Sequence, residues 1–297
     1  MSNTLCIIIL FVLTSTNLFS QQDGIDSSLA VETGYINVEE GKLFYEMAGK
    51  GKCIVLIHDG LIHCEVWDEQ FLVFAKKYRV VRYDRRGYGK SPNPHALFSD
   101  IEDLKQLFAQ LKIDNAILIG MSSGGGLAID FTLKYQQNVS ALILSGAVVG
   151  GYNYSSHMMT RGGRVDNLEE LLADPQKMIQ YFGWEDPYQI NPENIKAKEK
   201  CLELLKAFPI NVDFEKFNFM KPADRTAIKY LSEINVPTLV LVGEYDIPDV
   251  HAHSGVIDAG IKNSKREIIS NSGHMIPLDQ PAAFNDAVMN FLRSIDF

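Results

Sequence analysis

Short apolar runs that recur along the chain are the feature that most constrains its fold. Most of these runs are rich in branched side chains, and segments with apolar residues at helical spacing lie between them. Strands that alternate with helices in this way predict βαβ units, and therefore an α/β fold with a mostly parallel sheet covered by helices on both faces. The runs are residues 53–58, 78–84, 116–120, 139–146, 237–243 and 265–270.

The alternation breaks in one part of the chain. Between about residues 150 and 224, helical pieces are separated by prolines and no apolar strand run occurs. We therefore predict one α/β domain, residues 34–297, with a mainly helical cap insertion at about 150–224. Such a cap would lie over the end of the sheet where open α/β folds place their ligand crevice. Residues 21–33 are predicted to be a mobile segment before the domain.

The first twenty residues contain no charged side chain, and their apolar run, residues 5–13, is too short to span a bilayer comfortably. This pattern indicates a secretory signal peptide, residues 1–20, that is cleaved after Ser20. The mature protein is then periplasmic or secreted and has no stable membrane insertion. An uncleaved leader that anchors the protein to the membrane is the alternative.

Composition excludes some classes of partner. The formal net charge is −9, and no run of Lys or Arg is longer than two residues, so a nucleic-acid partner is not expected. Removal of the leader leaves Cys53, Cys64 and Cys201, an odd number without CxxC spacing, and we expect no thiolate metal site. Cys53 and Cys64 could pair in an exported protein, but Cys53 starts an apolar strand and fits a small buried hydrophobe.

The segment from Gly120 to Gly124 fits the pattern G-x-S-x-G, and it stands between a predicted strand and a predicted helix. In that context the pattern indicates a nucleophile elbow, a tight turn that exposes a serine hydroxyl at the end of the strand. Ser122 is therefore the candidate nucleophile, and glycines on both sides remove β carbons that would clash. Ser123 and Ser145 are the alternative serines.

A serine nucleophile needs a base, and the base needs a group that orients it. His274 follows the last predicted strand, and Asp246 follows the strand before it. Both therefore leave the same end of a parallel sheet as Ser122, in the chain order Ser, Asp, His. Two other histidines and two other acids are alternatives for these roles: His251, His253, Glu244 and Asp249.

The developing oxyanion needs backbone N–H donors. We predict one at Ser123, where the helix after the elbow begins, and the other at Gly60, in the loop after the first buried strand. His58 and Asp59 are interpreted as residues that hold this loop rather than as a second acid–base pair.

Five segments together resemble the α/β-hydrolase superfamily in its compact, capped, single-domain form. The segments are "LIHDG", "YDRRGYGKS", "GMSSGG", "GEYD" and "SGHMIPLDQP". The resemblance implies that Asp84, Arg86 and Gly87 are structural and that no cofactor or metal is required. The chain departs from the family at Asp59, where the family usually has Gly.

The predicted cap is rich in aromatic rings. These rings fit either an apolar or aromatic acyl pocket above Ser122 or the small core that any insertion of this size needs. They are Tyr152, Tyr154, Tyr181, Phe182, Trp184, Tyr188, Phe208, Phe214, Phe217 and Phe219.

These features predict a serine hydrolase that cleaves a carboxylic ester, thioester or lactone of a small apolar or aromatic acyl compound. The same triad also fits a carbon–carbon bond hydrolase, an acyltransferase or an aminopeptidase, for which Glu185 and Asp186 are the candidate amine-binding acids. Dehalogenases and epoxide hydrolases of the resembled family normally have Asp at the elbow, so Ser122 argues against them. A ligand-binding sensor on a hydrolase scaffold is the alternative outside enzymes.

Overall fold

The structure, a computed structural model, describes residues 29–297. The predicted signal peptide and most of the predicted mobile segment lie outside the described residues. Eight strands form one sheet. They are β1 (Val31–Val38), β2 (Gly41–Ala48), β3 (Cys53–Ile57), β4 (Arg79–Tyr83), β5 (Ala116–Met121), β6 (Val139–Ser145), β7 (Thr238–Gly243) and β8 (Ser264–Ile269).

The strand order is β1-β2-β4-β3-β5-β6-β7-β8. Strands β3 to β8 pair in parallel, whereas β2 is antiparallel to both β1 and β4. The predicted mostly parallel sheet is therefore confirmed. Strand β1 begins at Val31, a few residues before Gly34, the predicted first residue of the domain. Val31 pairs with Ala48 of β2, so the residues just before Gly34 belong to the paired part of the strand.

Helices connect the parallel strands. The α-helices are α1 (Asp68–Ala75), α2 (Asp100–Gln110), α3 (Ser123–Tyr135), α4 (Ser156–Met159), α5 (Leu168–Leu172), α6 (Pro175–Gln180), α7 (Ile195–Ala207), α8 (Pro248–Gly260), α9 (Ile276–Asp279) and α10 (Pro281–Ser294). Short helical turns of other types are Cys64–Trp67, Gln136–Asn138, Tyr181–Glu185, Pro209–Val212, Phe214–Phe219, Ala227–Lys229 and Leu231–Glu233. Ser99 caps α2, where its side chain accepts a hydrogen bond from the N–H of Glu102.

The sheet is buried on both faces because successive side chains of a strand point to opposite sides. In β5, Ile117 and Ile119 belong to a core shared with α1 and α10, whereas Leu118 belongs to a core shared with α2, α3 and α8. This two-sided burial is why the parallel strands appear in the sequence as continuous apolar runs.

The chain between β6 and β7 is helical, and among the described residues it contains no strand of the sheet. Its one strand-like contact is an isolated bridge between Met220 and Phe98. We call residues 150–224 the cap. Phe182 and Leu204 of the cap are buried in the same apolar cluster as Ile119 of β5, so the core of the cap is continuous with the core on one side of the sheet.

Candidate active site

Ser122 lies at the sharp turn between β5 and α3. Its φ is +52° and its ψ is −120°, a left-handed backbone conformation that residues other than glycine rarely adopt. Two hydrogen bonds to the neighbouring strand and its following loop hold this conformation. The Ser122 N–H donates to the carbonyl of Ser145 (2.9 Å), and the Ser122 carbonyl accepts from the N–H of Val148 (3.3 Å).

The glycines around Ser122 are required by close backbone contacts. A β carbon at Gly120 would lie 2.5 Å from the carbonyl oxygen of Gly124, and one at Gly124 would lie 2.2 Å from the carbonyl oxygen of His58. Both contacts are with backbone, so no side chain can move aside to relieve them. The sequence pattern therefore reflects a helix that begins directly against β5 and the end of β3.

His274 and Asp246 lie together at the carboxyl ends of β8 and β7. The Nδ1 atom of His274 is 2.8 Å from Oδ2 of Asp246, and both side chains are buried. The backbone N–H of His274 donates to the carbonyl of Tyr188 in the cap (2.8 Å). Gly146 leaves room for the pair, because a β carbon there would lie 2.9 Å from His274 Nδ1.

The charge of Asp246 controls the protonation of His274. Burial lowers the pKa of His274, but the negative charge of Asp246 and its hydrogen bond outweigh that effect, and the net result is a raised pKa. Because Nδ1 faces the carboxylate, Nε2 is the ring nitrogen left to exchange a proton with a substrate or a nucleophile.

The alternative histidines make other contacts. Nδ1 of His253 accepts a hydrogen bond from the backbone N–H of Val149 (3.0 Å), and burial lowers the pKa of this imidazole. Nδ1 of His251 faces Arg266 at 3.3 Å. Neither histidine lines the cavity that contains Ser122.

The alternative acids likewise have structural partners. Glu244 accepts a hydrogen bond from the backbone N–H of Asn271 (2.8 Å). Asp249 accepts from both the backbone N–H and the hydroxyl of Ser155, 2.7 and 2.8 Å away, and so attaches the start of α4 to α8.

Of the three candidate serines, Ser122 alone lines the cavity formed by the described residues. The hydroxyl oxygen of Ser123 accepts a hydrogen bond from Nη1 of Arg85 (2.9 Å). Ser145 is fully buried. Ser122 Oγ makes no hydrogen bond to a described residue. Ser122 and His274 instead share the cavity, which both residues line.

This cavity lies between the sheet and the cap and has a volume of about 480 Å³. The polar residues that line it include Ser122, Asp246, His274 and Asp59, and Gly60 also lines it. Most of the remaining wall is apolar, with Leu61, Tyr154, Met158, Phe182, Phe214 and Val250 among its residues. The structure thus brings the three predicted triad residues to one apolar chamber.

The cap's aromatic residues divide between the two predicted roles. Tyr154, Phe182, Phe214 and Phe217 line the cavity, whereas Tyr181 is buried and is absent from the cavity wall. Aliphatic and sulfur-containing residues of the cap also line it, although no sequence pattern marks them. They are Met158, Met159, Leu168 and Leu172.

The cap also contributes a buried ion pair that the sequence analysis did not predict. Arg161 lines the cavity, and its guanidinium bonds to the carboxylate of Asp186. Asp186 in turn accepts a hydrogen bond from the N–H of Tyr188, the residue whose carbonyl binds the N–H of His274. The pair therefore connects the cap to the histidine loop. No sequence pattern signals such a contact, because its partners lie in different cap segments.

Gly60, the predicted oxyanion donor, lines the cavity close to the start of α3. A β carbon at Gly60 would lie 3.1 Å from the Ser123 hydroxyl oxygen. Asp59, at the position where the chain departs from the resembled family, also lines the cavity. Burial raises the pKa of Asp59, while hydrogen bonds from the backbone N–H groups of Ile62 and Leu61 oppose that shift.

Cys53, Cys64 and Cys201 are buried free thiols, and burial raises the pKa of Cys53 to about 12. Within residues 29–297 no group of His, Cys, Asp and Glu side chains is arranged to hold a metal ion. The helices of this part of the chain are also too short or too polar to cross a membrane.

Comparisons with known proteins bear on the family of this chain. A family model described as "alpha/beta hydrolase fold" matches residues 53–183. A 2-hydroxy-6-oxononadienedioate/2-hydroxy-6-oxononatrienedioate hydrolase of Paraburkholderia xenovorans (strain LB400) is 30% identical, in an alignment that covers 87% of this chain and 94% of the relative. The AB hydrolase superfamily protein YisY of Bacillus subtilis (strain 168) is 28% identical over 88% of this chain and 99% of its own length.

Solved structures give the same result for the fold. A bromoperoxidase from Bacillus anthracis is 25% identical with a TM-score of 0.68, and the match covers 89% of this chain and 100% of that one. A thermophilic esterase from Thermogutta terrifontis is 24% identical with a TM-score of 0.72, over 90% of this chain and 100% of that one. By its sequence relatives and its fold alike, this chain belongs to the α/β-hydrolase family of enzymes.

Proposed function

We propose that this enzyme hydrolyses a carboxylic ester, thioester or lactone through an acyl-enzyme on Ser122. One observation carries the proposal. Ser122, in its left-handed turn, borders the same apolar cavity as His274, whose Nδ1 is 2.8 Å from Asp246. A serine, an acid and a histidine in this chain order at the ends of parallel strands are the parts that acyl transfer requires.

The proposed reaction proceeds in two halves. Ser122 Oγ attacks the substrate carbonyl carbon while His274 Nε2 takes the hydroxyl proton, and the N–H groups of Gly60 and Ser123 stabilise the oxyanion. The tetrahedral intermediate collapses, and the leaving alcohol or thiol takes the proton from His274. Water then attacks the acyl-enzyme, again with His274 as base, and the carboxylic acid product leaves with the Ser122 hydroxyl restored. Asp246 stabilises the imidazolium in both halves.

The cavity wall favours an uncharged, apolar or aromatic acyl group. Its carboxylates are Asp59 and Asp246, and its one guanidinium, that of Arg161, is already paired with Asp186. An anionic acyl group would therefore meet two carboxyl groups and no free cation to compensate its charge. This argues against the dicarboxylate substrates for which the Paraburkholderia xenovorans relative is named, although the triad also fits carbon–carbon bond hydrolysis and acyl transfer.

Aminopeptidase chemistry requires an acid that can hold a substrate amine. Of the two acids predicted for that role, Asp186 is bonded to Arg161, and Glu185 is exposed. Neither supplies a free carboxylate to the cavity, which supports the ester reaction over the peptide reaction. A sensor that binds a ligand without turnover is separated from the enzyme by the experiment below.

The test is intact mass spectrometry after treatment with a fluorophosphonate, followed by turnover of p-nitrophenyl esters of increasing acyl length. We expect a single adduct on the wild type and none on Ser122→Ala. Ser270→Ala, which alters an exposed serine after β8, is the matched control and retains the adduct. A wild type that neither forms an adduct nor turns over any ester would refute the proposal and favour the sensor.

The base is tested separately. His274→Ala should reduce kcat by several orders of magnitude, as loss of a triad member typically does. If His251→Ala or His253→Ala has that effect and His274→Ala does not, the base is assigned wrongly.

We also propose that the enzyme is exported to the periplasm or the medium. The uncharged leader of residues 1–20 supports this proposal. Expression of the full chain, cell fractionation and N-terminal sequencing of the mature protein test it. A new N-terminus at Gln21 is the expected result, whereas an intact leader in the membrane fraction would indicate an anchor.

A further inference from the structure

The peptide group between Asp59 and Gly60 is held by its carbonyl. The Asp59 carbonyl oxygen is 2.8 Å from Nδ1 of His58 and 3.3 Å from Nη1 of Arg85. The N–H and C=O groups of a trans peptide point in opposite directions, and the described residues contain no cis peptide. Two donors on the carbonyl therefore aim the Gly60 N–H away from Arg85. Within the described chain, this N–H donates to no other group.

The tautomer of His58 follows from its hydrogen bonds. The backbone N–H of Arg85 donates to Nε2 of His58 (2.9 Å), so Nε2 carries no proton. The proton is on Nδ1, which donates it to the Asp59 carbonyl. Burial, reinforced by the positive charge of Arg85, lowers the pKa of His58 well below its ordinary value, so the ring stays neutral.

The guanidinium of Arg85 contacts both sides of the predicted oxyanion site. Its Nη1 donates to the Ser123 hydroxyl oxygen at 2.9 Å as well as to the Asp59 carbonyl at 3.3 Å. Its Nη2 pairs with Asp100 at 2.6 Å, which fixes the plane of the guanidinium, and the side chain is only 5% exposed. Nη1 thus joins Asp59, the residue before Gly60, to Ser123, the residue that supplies the second N–H donor.

The next peptide group of the loop is also held from this side. The hydroxyl of Tyr88 donates to the carbonyl of Gly60 at 3.1 Å. The segment from Arg85 to Tyr88 thus holds two successive carbonyls of the oxyanion loop. Among the hydrogen bonds between described residues, however, only those of Arg85 connect that loop to the start of α3.

We propose that Arg85 is a positioning residue for the oxyanion hole, because its Nη1 fixes the Asp59–Gly60 peptide relative to Ser123 and so sets the spacing of the two N–H donors. The inference rests on the proposed acyl-transfer reaction. Arg85 touches no reacting atom. It acts through the peptide and the side chain that it holds, so its loss changes the stabilisation of the transition state more than the binding of the substrate.

Arg85→Met removes every donor of the guanidinium, and Arg85→Lys retains a cation for Asp100 without the fork that reaches two acceptors. Arg82→Met is the matched control. Arg82 is also buried and pairs with two acids, Glu46 and Asp68, but it lies on β4 outside the cavity wall. It tests whether loss of a buried arginine pair alone affects catalysis.

The measurements are kcat and KM for a p-nitrophenyl ester, per site titrated with fluorophosphonate, and inhibition by a matched trifluoromethyl ketone, whose adduct with Ser122 carries an oxyanion. For Arg85→Met we expect kcat to fall by ~10 to 100-fold, since a misplacement of 1 Å costs about 100-fold. KM should stay within about twofold, and affinity for the ketone should fall by a factor similar to that of kcat. Arg85→Lys should lie between Arg85→Met and the wild type, and Arg82→Met should retain kcat per titrated site.

Equal kcat and equal ketone affinity per titrated site in the wild type, Arg85→Lys and Arg85→Met would overturn the inference. If Arg85→Met does not fold, Arg85→Lys decides it alone: wild-type kcat and ketone affinity would refute a positioning role. A wild type without adduct or turnover refutes the proposed function itself, and with it this inference. The two failures are therefore distinguishable.

Discussion

Gly124→Ala tests whether the contact between α3 and β3 sets the geometry of the site. A β carbon at Gly124 would lie 2.2 Å from the carbonyl oxygen of His58 and 2.6 Å from that of Ile57, where ordinary contacts lie at 3.4–4 Å. Both neighbours are backbone atoms. The start of α3 must therefore move by about 1 Å relative to the end of β3, and the N–H of Ser123 moves with it.

Two opposing effects determine the change in stability. Alanine in place of glycine stabilises a helix by about 1 kcal/mol, whereas overpacking costs roughly 1–3 kcal/mol or more. Because both clashes are with backbone, we expect the high end of that cost and a net loss of about 2 kcal/mol. For a chain of this size that loss lowers Tm by roughly 4–8 °C. A 1 Å shift of an oxyanion donor should lower kcat by about 100-fold.

The control is Gly255→Ala in α8, where no atom beyond the two chain neighbours and the backbone of the same helix lies within 4 Å of the added β carbon. This variant should be stabilised by about 0.5–1 kcal/mol with kcat unchanged. Thermal unfolding followed by circular dichroism and ester turnover per fluorophosphonate-titrated site measure both effects. If Gly124→Ala has the Tm and the kcat of the wild type, the close approach of helix and strand does not set the site.

Three further predictions concern charged groups. The charge of Asp246 raises the pKa of His274, so the acid limb of the pH profile of kcat/KM for the wild type should have its midpoint above pH 6.5. Asp246→Asn should move that midpoint below pH 6.5 and lower kcat about 10⁴-fold. A midpoint that does not move would contradict the role assigned to Asp246. Asp186→Asn leaves the Arg161 cation buried without its partner and should lower the unfolding free energy, measured in urea, by about 3–5 kcal/mol. The double variant with Arg161→Met should recover most of that loss, and additive losses would refute the coupling of the two residues. Burial lowers the pKa of Lys216 to about 7, so between pH 7 and about 10 the unfolded chain binds more protons at this residue than the folded chain does. The unfolding free energy of the wild type relative to that of Lys216→Met should therefore rise with pH in this range; a constant difference would contradict the shift.

The sheet and the shared location of Ser122, Asp246 and His274 could be predicted because both depend on short-range patterns. Branched apolar runs mark buried strands, and the parallel order of those strands brings their carboxyl ends together. Ser122, Asp246 and His274 each follow such a run, so their shared location follows from topology. The hydrogen bond between the last two then required only that their loops meet.

Other features could not be predicted because they depend on contacts across the fold. Glycine is a poor helix former, yet α3 begins at Ser123 and includes three consecutive glycines. Close packing against β3 and β5 outweighs propensity at Gly124. The pair of Arg161 and Asp186 and the bridge from Arg85 to Ser123 likewise join residues that no periodicity relates.

The elbow shows why the G-x-S-x-G pattern is weak evidence by itself and strong evidence after an apolar run. A serine with φ of +52° costs on the order of 1–3 kcal/mol, and nothing within the five residues supplies that energy. The hydrogen bonds that hold Ser122 come from Ser145 at the end of β6 and from Val148 beyond it. Only a strand pairing with β6 can place Ser122 beside those partners. The strained turn is therefore a property of the sheet, and the apolar run before the motif is the part of the sequence that makes it stable.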